Sequence, residues 1–286
     1  IARPVGICVP HADIDQQRIQ VVALGNAGDP PAVVRCQRAV ALRVGHQGVD
    51  TARLHEVGGV PLVHQVRPAV IVHTAALNPR QATDFDAVNV DGTRHVARAA
   101  ADVGARLIHI STDALFDGRK GNYTEDDPPS PITPYGRSKA LAEVVVGDAG
   151  GEAVIVRTSL IYGWRPTVAR AAQWMLDDLR AGKPVRLWTN ELRCPIWVEN
   201  LAAAVVELAG LLYTGVLNIA GAQSLSRYEF GMRLLRFHGV DPSLVTPADK
   251  PTTLDGTLDC SRARELLETP LPGVDEVLAE LESSSG

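Results

Sequence analysis

The chain has 286 residues, of which 45% are hydrophobic and 21% charged, with a formal net charge of -5. That length suits one large domain or one and a half, with enough apolar content to bury a core. The acidic balance gives no reason to expect nucleic acid or an anionic membrane surface as a partner, although a local helix N-terminus can still bind phosphate. No apolar run reaches the ~20 residues that span a bilayer, and no basic stretch leads into an apolar core at the start. Cys8, Cys36, Cys194 and Cys260 form no C-x-x-C pair, and no His stands at metal-ligand spacing from them. Reduced thiols in a cytoplasmic protein with no metal are the expectation.

In chain order, the first 66 residues are the anomaly. They contain no Phe, Tyr, Trp, Ser or Met, and only residues 20–24 read as a strand. Residues 69–73 are a short β-branched run, as a buried parallel strand should be. Residues 84–103 read as a helix: Thr83 is its N-cap, Asp84 and Asp86 stand in the first turn, and Gly104 stops it. Residues 106–110 are the next strand, residues 117–133 a polar, Pro-rich loop, and residues 134–146 a helix. A third strand follows at 153–157. Strands alternating with helices imply βαβ crossovers and hence a doubly wound parallel sheet of Rossmann type. Beyond Gly163 the pattern changes, with helices expected at 168–181, 199–212, 226–238, 261–267 and 274–281, and two strands at 185–188 and 216–219. This part reads as a smaller, mostly helical lobe at the carboxyl end of the sheet.

The chemistry concentrates in one block. Ile110-Ser111-Thr112-Asp113 follows a strand, and Tyr135-Gly136-Arg137-Ser138-Lys139 opens a helix. Thr133 suits the N-cap and Pro134 the first helical position. Tyr135 and Lys139, four apart, then project from one helical face, and Thr112 stands where doubly wound sheets place their ligands. A phenol with a pKa near ~10 is a poor acid alone, but a neighbouring ammonium favours the phenolate and lowers that value. Tyr135 is then suited to give a proton to a ketone oxygen while hydride arrives at carbon, and Thr112 to donate a hydrogen bond to the same oxygen. The blander readings are a turn-capping hydroxyl for Thr112 and a solvated helical lysine for Lys139.

The segments His73-Thr74-Ala75-Ala76, Asn89-Val90-Asp91-Gly92-Thr93, Ile110 to Gly118, Tyr135 to Lys139 and Arg157-Thr158-Ser159-Leu160-Ile161-Tyr162-Gly163 occur in this order. With Arg193-Cys194-Pro195, Asn200-Leu201-Ala202 and Leu258-Asp259-Cys260-Ser261, they resemble the extended short-chain dehydrogenase/reductases, in particular the dTDP-4-dehydrorhamnose reductase branch. The likeness spans about Arg67 to Leu281 and implies an NAD(P)-binding domain over residues 1–163, with 1–65 atypical, and a substrate lobe over 164–286. It implies Thr112, Tyr135 and Lys139 as the catalytic triad and NADPH or NADH as the cofactor. Ala75, Ala76, Asn89, Tyr135, Lys139, Thr158, Ser159 and Ile161 would line that cofactor, and Arg193 would touch the diphosphate of a nucleotide-sugar substrate. A homodimer is allowed by the sequence. The blander readings are a tolerated mid-helix amide for Asn89 and a surface arginine for Arg193.

The sequence departs from that family at its start. The expected G-x-x-G-x-x-G turn, whose backbone meets the cofactor pyrophosphate, is missing. The nearest run, Val21 to Gly28, offers Gly25 and Gly28 and is followed by Asp29-Pro30-Pro31, a carboxylate where a pyrophosphate should lie. Two explanations stand: a lost cofactor site, leaving a sugar-nucleotide binder or regulatory subunit, or a shifted reading frame over the first ~65 residues. Ala114 and Leu160 also replace aromatic residues usual in the rhamnose branch, and Trp164 is available as an apolar wall or as core. An epimerase or dehydratase on the same scaffold is a third reading; Asp113 follows Thr112, but no Glu follows Asp113.

Overall fold

A computed structural model of the chain describes residues 21–24, 59–77, 79, 84–163 and 170–284. In order these form β1 (Val21–Leu24), α1 (Gly59–Val66), β2 (Val70–His73), a π-helical turn (Asp86–Gly92), α2 (Thr93–Val103), β3 (Arg106–Thr112), a 3₁₀ turn (Asp113–Leu115), α3 (Pro134–Asp148), β4 (Ala153–Thr158) and β5 (Ile161–Tyr162). There follow α4 (Arg170–Arg180), β6 (Val185–Trp188), β7 (Glu191–Arg193), β8 (Ile196–Trp197), α5 (Val198–Gly210), β9 (Gly215–Asn218), β10 (Leu225–Ser226), α6 (Arg227–Phe237), β11 (Val245–Ala248), β12 (Leu254–Asp255), α7 (Ser261–Leu266) and α8 (Val274–Ser283).

The main sheet has the order β1-β2-β3-β4-β9. β2 and β3 pair in parallel, with Val70 beside Arg106 and His73 beside His109. Strand, helix, strand from β2 through α2 to β3 is the βαβ unit that the sequence pattern predicts. β1 is the exception, running antiparallel to β2 with Val21 opposite His73 and Leu24 opposite Val70. It therefore ends beside the start of β2, whereas ligands of doubly wound sheets sit at the carboxyl ends of the strands. Gly25 and Gly28, together with Thr83 and Trp164, lie outside the described residues.

The chain packs as two compact units, one of Ile1–Ser111, Pro131–Val156 and Ala209–Val216, the other of Thr112–Ser130, Arg157–Leu208 and Leu217–Gly286. In the first, Ile71 and Leu107 from the sheet meet Ala97, Ala99 and Ala100 of α2, Val63 of α1 and Val146 of α3. Small residues on α2 let its backbone approach closely, and each buried Ile or Leu contributes about 1.5–3 kcal/mol. Gly104 ends α2 in the left-handed conformation, φ 70°, with its N–H returned to the carbonyls of Ala100 and Ala101. Thr133 caps α3 by accepting from the Gly136 N–H at 3.0 Å, with Pro134 in the first turn, as the sequence predicts.

The second unit has its own core, in which Tyr162 stands edge-on to Trp197 and to Phe230, each at 5.4 Å. Its strands form three further sheets, β10-β7-β12, β11-β6 and β5-β8. Most of these two- to four-residue strands were invisible to periodicity, which needs a longer window. Residues 216–219, expected in the lobe, fall mostly in β9, which joins the main sheet beside β4. The Pro-rich loop is held by aromatic stacking: Phe116 lies on Tyr123 at 4.0 Å, and the Arg157 guanidinium lies 5.2 Å from the Phe116 ring centre. Among the described residues no helix is long and apolar enough to cross a membrane, and no group of three or more His, Cys, Asp or Glu could hold a metal ion.

Candidate active site

In the first unit the helix carrying Tyr135 and Lys139 is anchored through Asn89. Its side chain, fully buried, accepts from the Leu77 N–H at 2.7 Å and donates to the Leu77 carbonyl at 3.1 Å and to Ser138 Oγ at 3.0 Å. Ser138 Oγ in turn donates to the Tyr135 carbonyl at 2.8 Å. The Asn89 carbonyl is claimed by the Thr93 hydroxyl at 2.7 Å, a side-chain competitor for the backbone ladder, and Asn89 lies in the segment that winds as a π-helix where the sequence suggested plain α-helix. Asn89 is thus a built support rather than a tolerated amide. Replacing it with Leu strands the Leu77 backbone, at about 1–3 kcal/mol per orphaned buried group. Urea unfolding is expected to show a loss of about 3 kcal/mol, and a loss under about 1 kcal/mol would contradict that role.

Lys139 is buried, 2% exposed. Its ammonium donates to the Ile110 carbonyl at 2.7 Å and lies 3.1 Å from His109 Nε2. Behind it, His109 Nδ1 stands 3.1 Å from Nδ1 of His73. Burial pulls the Lys139 pKa down to about 8, and the Glu143 carboxylate one turn along α3 opposes the shift. Glu143 itself accepts from Ser111 Oγ at 2.5 Å. Tyr135 is half-buried, with its ring edge-on to Phe85 at 5.8 Å. At the end of β2, Ala75 is buried and Ala76 half-buried.

The two histidines make stability depend on acid. Burial and the Lys139 charge lower His73 to about 3, and burial, Lys139 and His73 hold His109 well below its ordinary value. Below pH ~6.5 the unfolded chain binds protons that the native state refuses, so stability falls as pH drops through that window. Two such groups amount to about 4 kcal/mol between pH 7 and pH 5. Urea titrations at those two values test this, and His73→Phe should remove about half of the difference.

In the second unit Thr112 ends β3 in an extended conformation, its hydroxyl accepting from the Ala114 N–H at 3.2 Å and lying 3.3 Å from Asp113 Oδ1. It does cap a turn, and its single proton goes to Asp113 Oδ1 in a long bond, so bonding a ligand oxygen requires the hydroxyl to turn away from that carboxylate. Asp113, 5% exposed, accepts from Ser159 Oγ at 2.5 Å and lies 3.5 Å from Arg193 Nε. Ser159 Oγ also accepts from the Cys194 N–H. Arg193 is no surface arginine: it meets Glu191 at 3.4 Å, and Glu191 meets Lys250 at 2.7 Å. Gly256 makes room for the guanidinium, since a Cβ there would stand 1.8 Å from it. Thr158 is buried, and its hydroxyl has no partner among the described residues. Ile161 lies in β5, paired with Ile196, and Leu160 packs against the core of this unit.

Sequence reasoning missed His109, Ser111 and Glu143 and gave Asp113 no supporting role. A signal existed for the histidines: each sits in an otherwise apolar strand run, and the parallel register places them side by side.

A family profile described as "RmlD substrate binding domain" matches residues 15–280. The chain belongs to this family. The match begins well before Arg67, where the motif likeness starts. Among relatives of the RmlD family, a protein of Haloferax volcanii named "Probable low-salt glycan biosynthesis reductase Agl14" is 32% identical over 220 residues, 72% of each chain. The "Methionine adenosyltransferase 2 subunit beta" of Rattus norvegicus is 29% identical over 225 residues, 72% of this chain and 67% of that one. A crystal structure of a hypothetical dTDP-4-dehydrorhamnose reductase from Sulfolobus tokodaii superposes with a TM-score of 0.68 at 30% identity, covering 86% of this chain and 89% of that one.

Proposed function

We propose that the chain is an NADPH- or NADH-dependent reductase of a 4-keto sugar nucleotide, of the dTDP-4-dehydrorhamnose reductase type. The observation that carries this reading is the buried Lys139, tied to the β3 backbone two residues before Thr112 and one helical turn from Tyr135. A lysine on a solvated helix face has no such anchoring. Burying an ammonium is costly, which is reasonable where the charge serves chemistry.

The residues present suit the nicotinamide end of the cofactor. Ala75 and Ala76 leave space after β2, Lys139 is a donor for a ribose hydroxyl, and the orphaned Thr158 hydroxyl lacks only an acceptor or donor to meet. Asn89 supports the turn that carries Tyr135, Ser159 braces Asp113, and Ile161 continues the lining. Reduced nicotinamide, when bound, supplies the hydride for the carbonyl carbon. Tyr135 gives its proton to the carbonyl oxygen, and the C=O becomes CH–OH. Thr112 turns its hydroxyl from Asp113 Oδ1 to donate to that oxygen as charge develops. Arg193 meets the nucleotide-sugar through N–H groups that its two carboxylates leave over. Asp113, committed to Ser159 and Arg193, is poorly placed to act as a free acid, which disfavours the dehydratase reading.

A second reading, a non-enzymatic sugar-nucleotide-binding or regulatory subunit, draws on the missing Gly-rich turn, the antiparallel β1 and the likeness to the methionine adenosyltransferase subunit. One experiment separates them. Calorimetric binding of NADPH at micromolar concentration, with NADPH oxidation on adding dTDP-4-dehydrorhamnose or a UDP- or GDP-keto sugar, supports the reductase. No NADPH binding at millimolar concentration, with nucleotide-sugar still bound, supports the subunit.

A further inference from the structure

Two buried histidines stand behind Lys139, and the reductase chemistry assigns them nothing. The proton positions in this chain are fixed by elimination. A lysine ammonium is donor only, so at the 3.1 Å contact His109 Nε2 must accept. A neutral His109 then carries its hydrogen on Nδ1 and donates it to Nδ1 of His73 at 3.1 Å. His73 must accept there, which leaves its own hydrogen on Nε2. The result is a one-way chain from Lys139 through His109 to His73, spanning α3, β3 and β2.

We propose that His109, oriented by His73, is a positioning residue that holds the Lys139 ammonium charged and pointing along the β3 strand end. The inference rests on the reductase reading for its catalytic meaning. The arrangement is a brace and not a proton relay. Neutral imidazoles held against protonation offer Lys139 a lone pair without competing for its proton, and in this tautomer His109 has no proton on the side facing Lys139 to return. An acceptor that bonds the charged form of a lysine favours that form. The groups facing Lys139 are His109 on β3, with His73 behind it on β2, and Glu143 on α3, where Tyr135 stands one turn earlier; the π-helical turn contributes the uncharged Asn89 through Ser138.

Two variants and one spectrum test the proposal. His109→Leu removes the acceptor, whereas His109→Gln keeps an oxygen near the place of Nε2. His109→Leu is expected to lower kcat about tenfold or more with KM for the nucleotide-sugar unchanged, and to move the alkaline limb of the kcat profile to lower pH by about one unit. His109→Gln should restore both. Equal kcat and equal pH limbs in the Leu and Gln variants overturn the proposal. Nitrogen-15 NMR of histidine-labelled wild-type protein gives a readout that needs no turnover. Between pH 6 and 8 it should show His109 protonated on Nδ1 alone and His73 on Nε2 alone. His109 protonated on Nε2 overturns the brace even in a protein that reduces nothing, so failure of the reductase reading stays distinguishable from failure of this one.

Discussion

Replacing Tyr135 by Phe is expected to lower turnover by roughly 10²–10⁴-fold, the range for loss of a positioned proton donor. The change deletes one oxygen and keeps the ring. Its edge-on contact with Phe85, at 5.8 Å and 71°, uses the ring and not the hydroxyl, so this packing is kept in the variant. The anchor through Ser138 ends on the Tyr135 backbone carbonyl and is indifferent to the side chain. Calorimetric affinity for the nucleotide-sugar should therefore hold while NADPH oxidation disappears. Retained turnover in the Phe variant would move the acid elsewhere and remove the mechanism proposed for this helix.

The elements that the sequence announced share a physical signature. The helix expected at 134–146 has a cap, an N-terminal proline and a clean start, and the strands expected at 69–73, 106–110 and 153–157 are short apolar, β-branched runs. What escaped was set by partners distant in the chain. β9 looks like a lobe strand until its pairing with β4 is known, because four residues, Gly215–Asn218, cannot reveal which sheet they join. The antiparallel course of β1 was equally hidden: Val21–Leu24 reads the same in either direction. The π-helical winding around Asn89 comes with bonds to the Thr93 hydroxyl and the Leu77 backbone, neither of which periodicity can weigh.

The candidate site was legible as residue types and not as environments. Tyr135, Lys139 and Thr112 could be picked out from spacing and strand position, but whether Lys139 was solvated or enclosed depends on two histidines thirty and sixty-six residues upstream (139 − 109 and 139 − 73). Arg193 shows the same limit. The family resemblance implied a diphosphate contact for it; in the fold its charge already faces Asp113 and Glu191, and it steadies the turn after Thr112. Asp113 itself, read only against a dehydratase pattern, is the acceptor on which Ser159 and Arg193 converge.

The second large effect is expected at Lys139, and it separates function from architecture. Lys139→Met should lower turnover by at least about 100-fold, because the ammonium one helical turn from Tyr135 is lost. Stability at pH 7 should change little. Removing a desolvated charge relieves about 3 kcal/mol, the equivalent of a pKa drawn from 10.5 down to about 8. The two acceptors left behind, His109 Nε2 and the Ile110 carbonyl, cost about 1–3 kcal/mol each, so the terms largely cancel. The pH dependence does not cancel. Between the native and unfolded pKa values of Lys139, the unfolded chain holds a proton that the native state has released, so this residue makes stability rise with pH across that window and adds no slope below about pH 8. Cys194 and Cys260, pushed up to about 11 and 12 by burial, act in the opposite sense at alkaline pH. The informative quantity is therefore wild type minus variant, from urea unfolding at matched pH. That difference should grow by about 3 kcal/mol from pH 8 to pH 10.5. A flat difference would mean that Lys139 is solvated in the native protein, and with it would go the buried ammonium on which both the catalytic reading and the histidine brace depend.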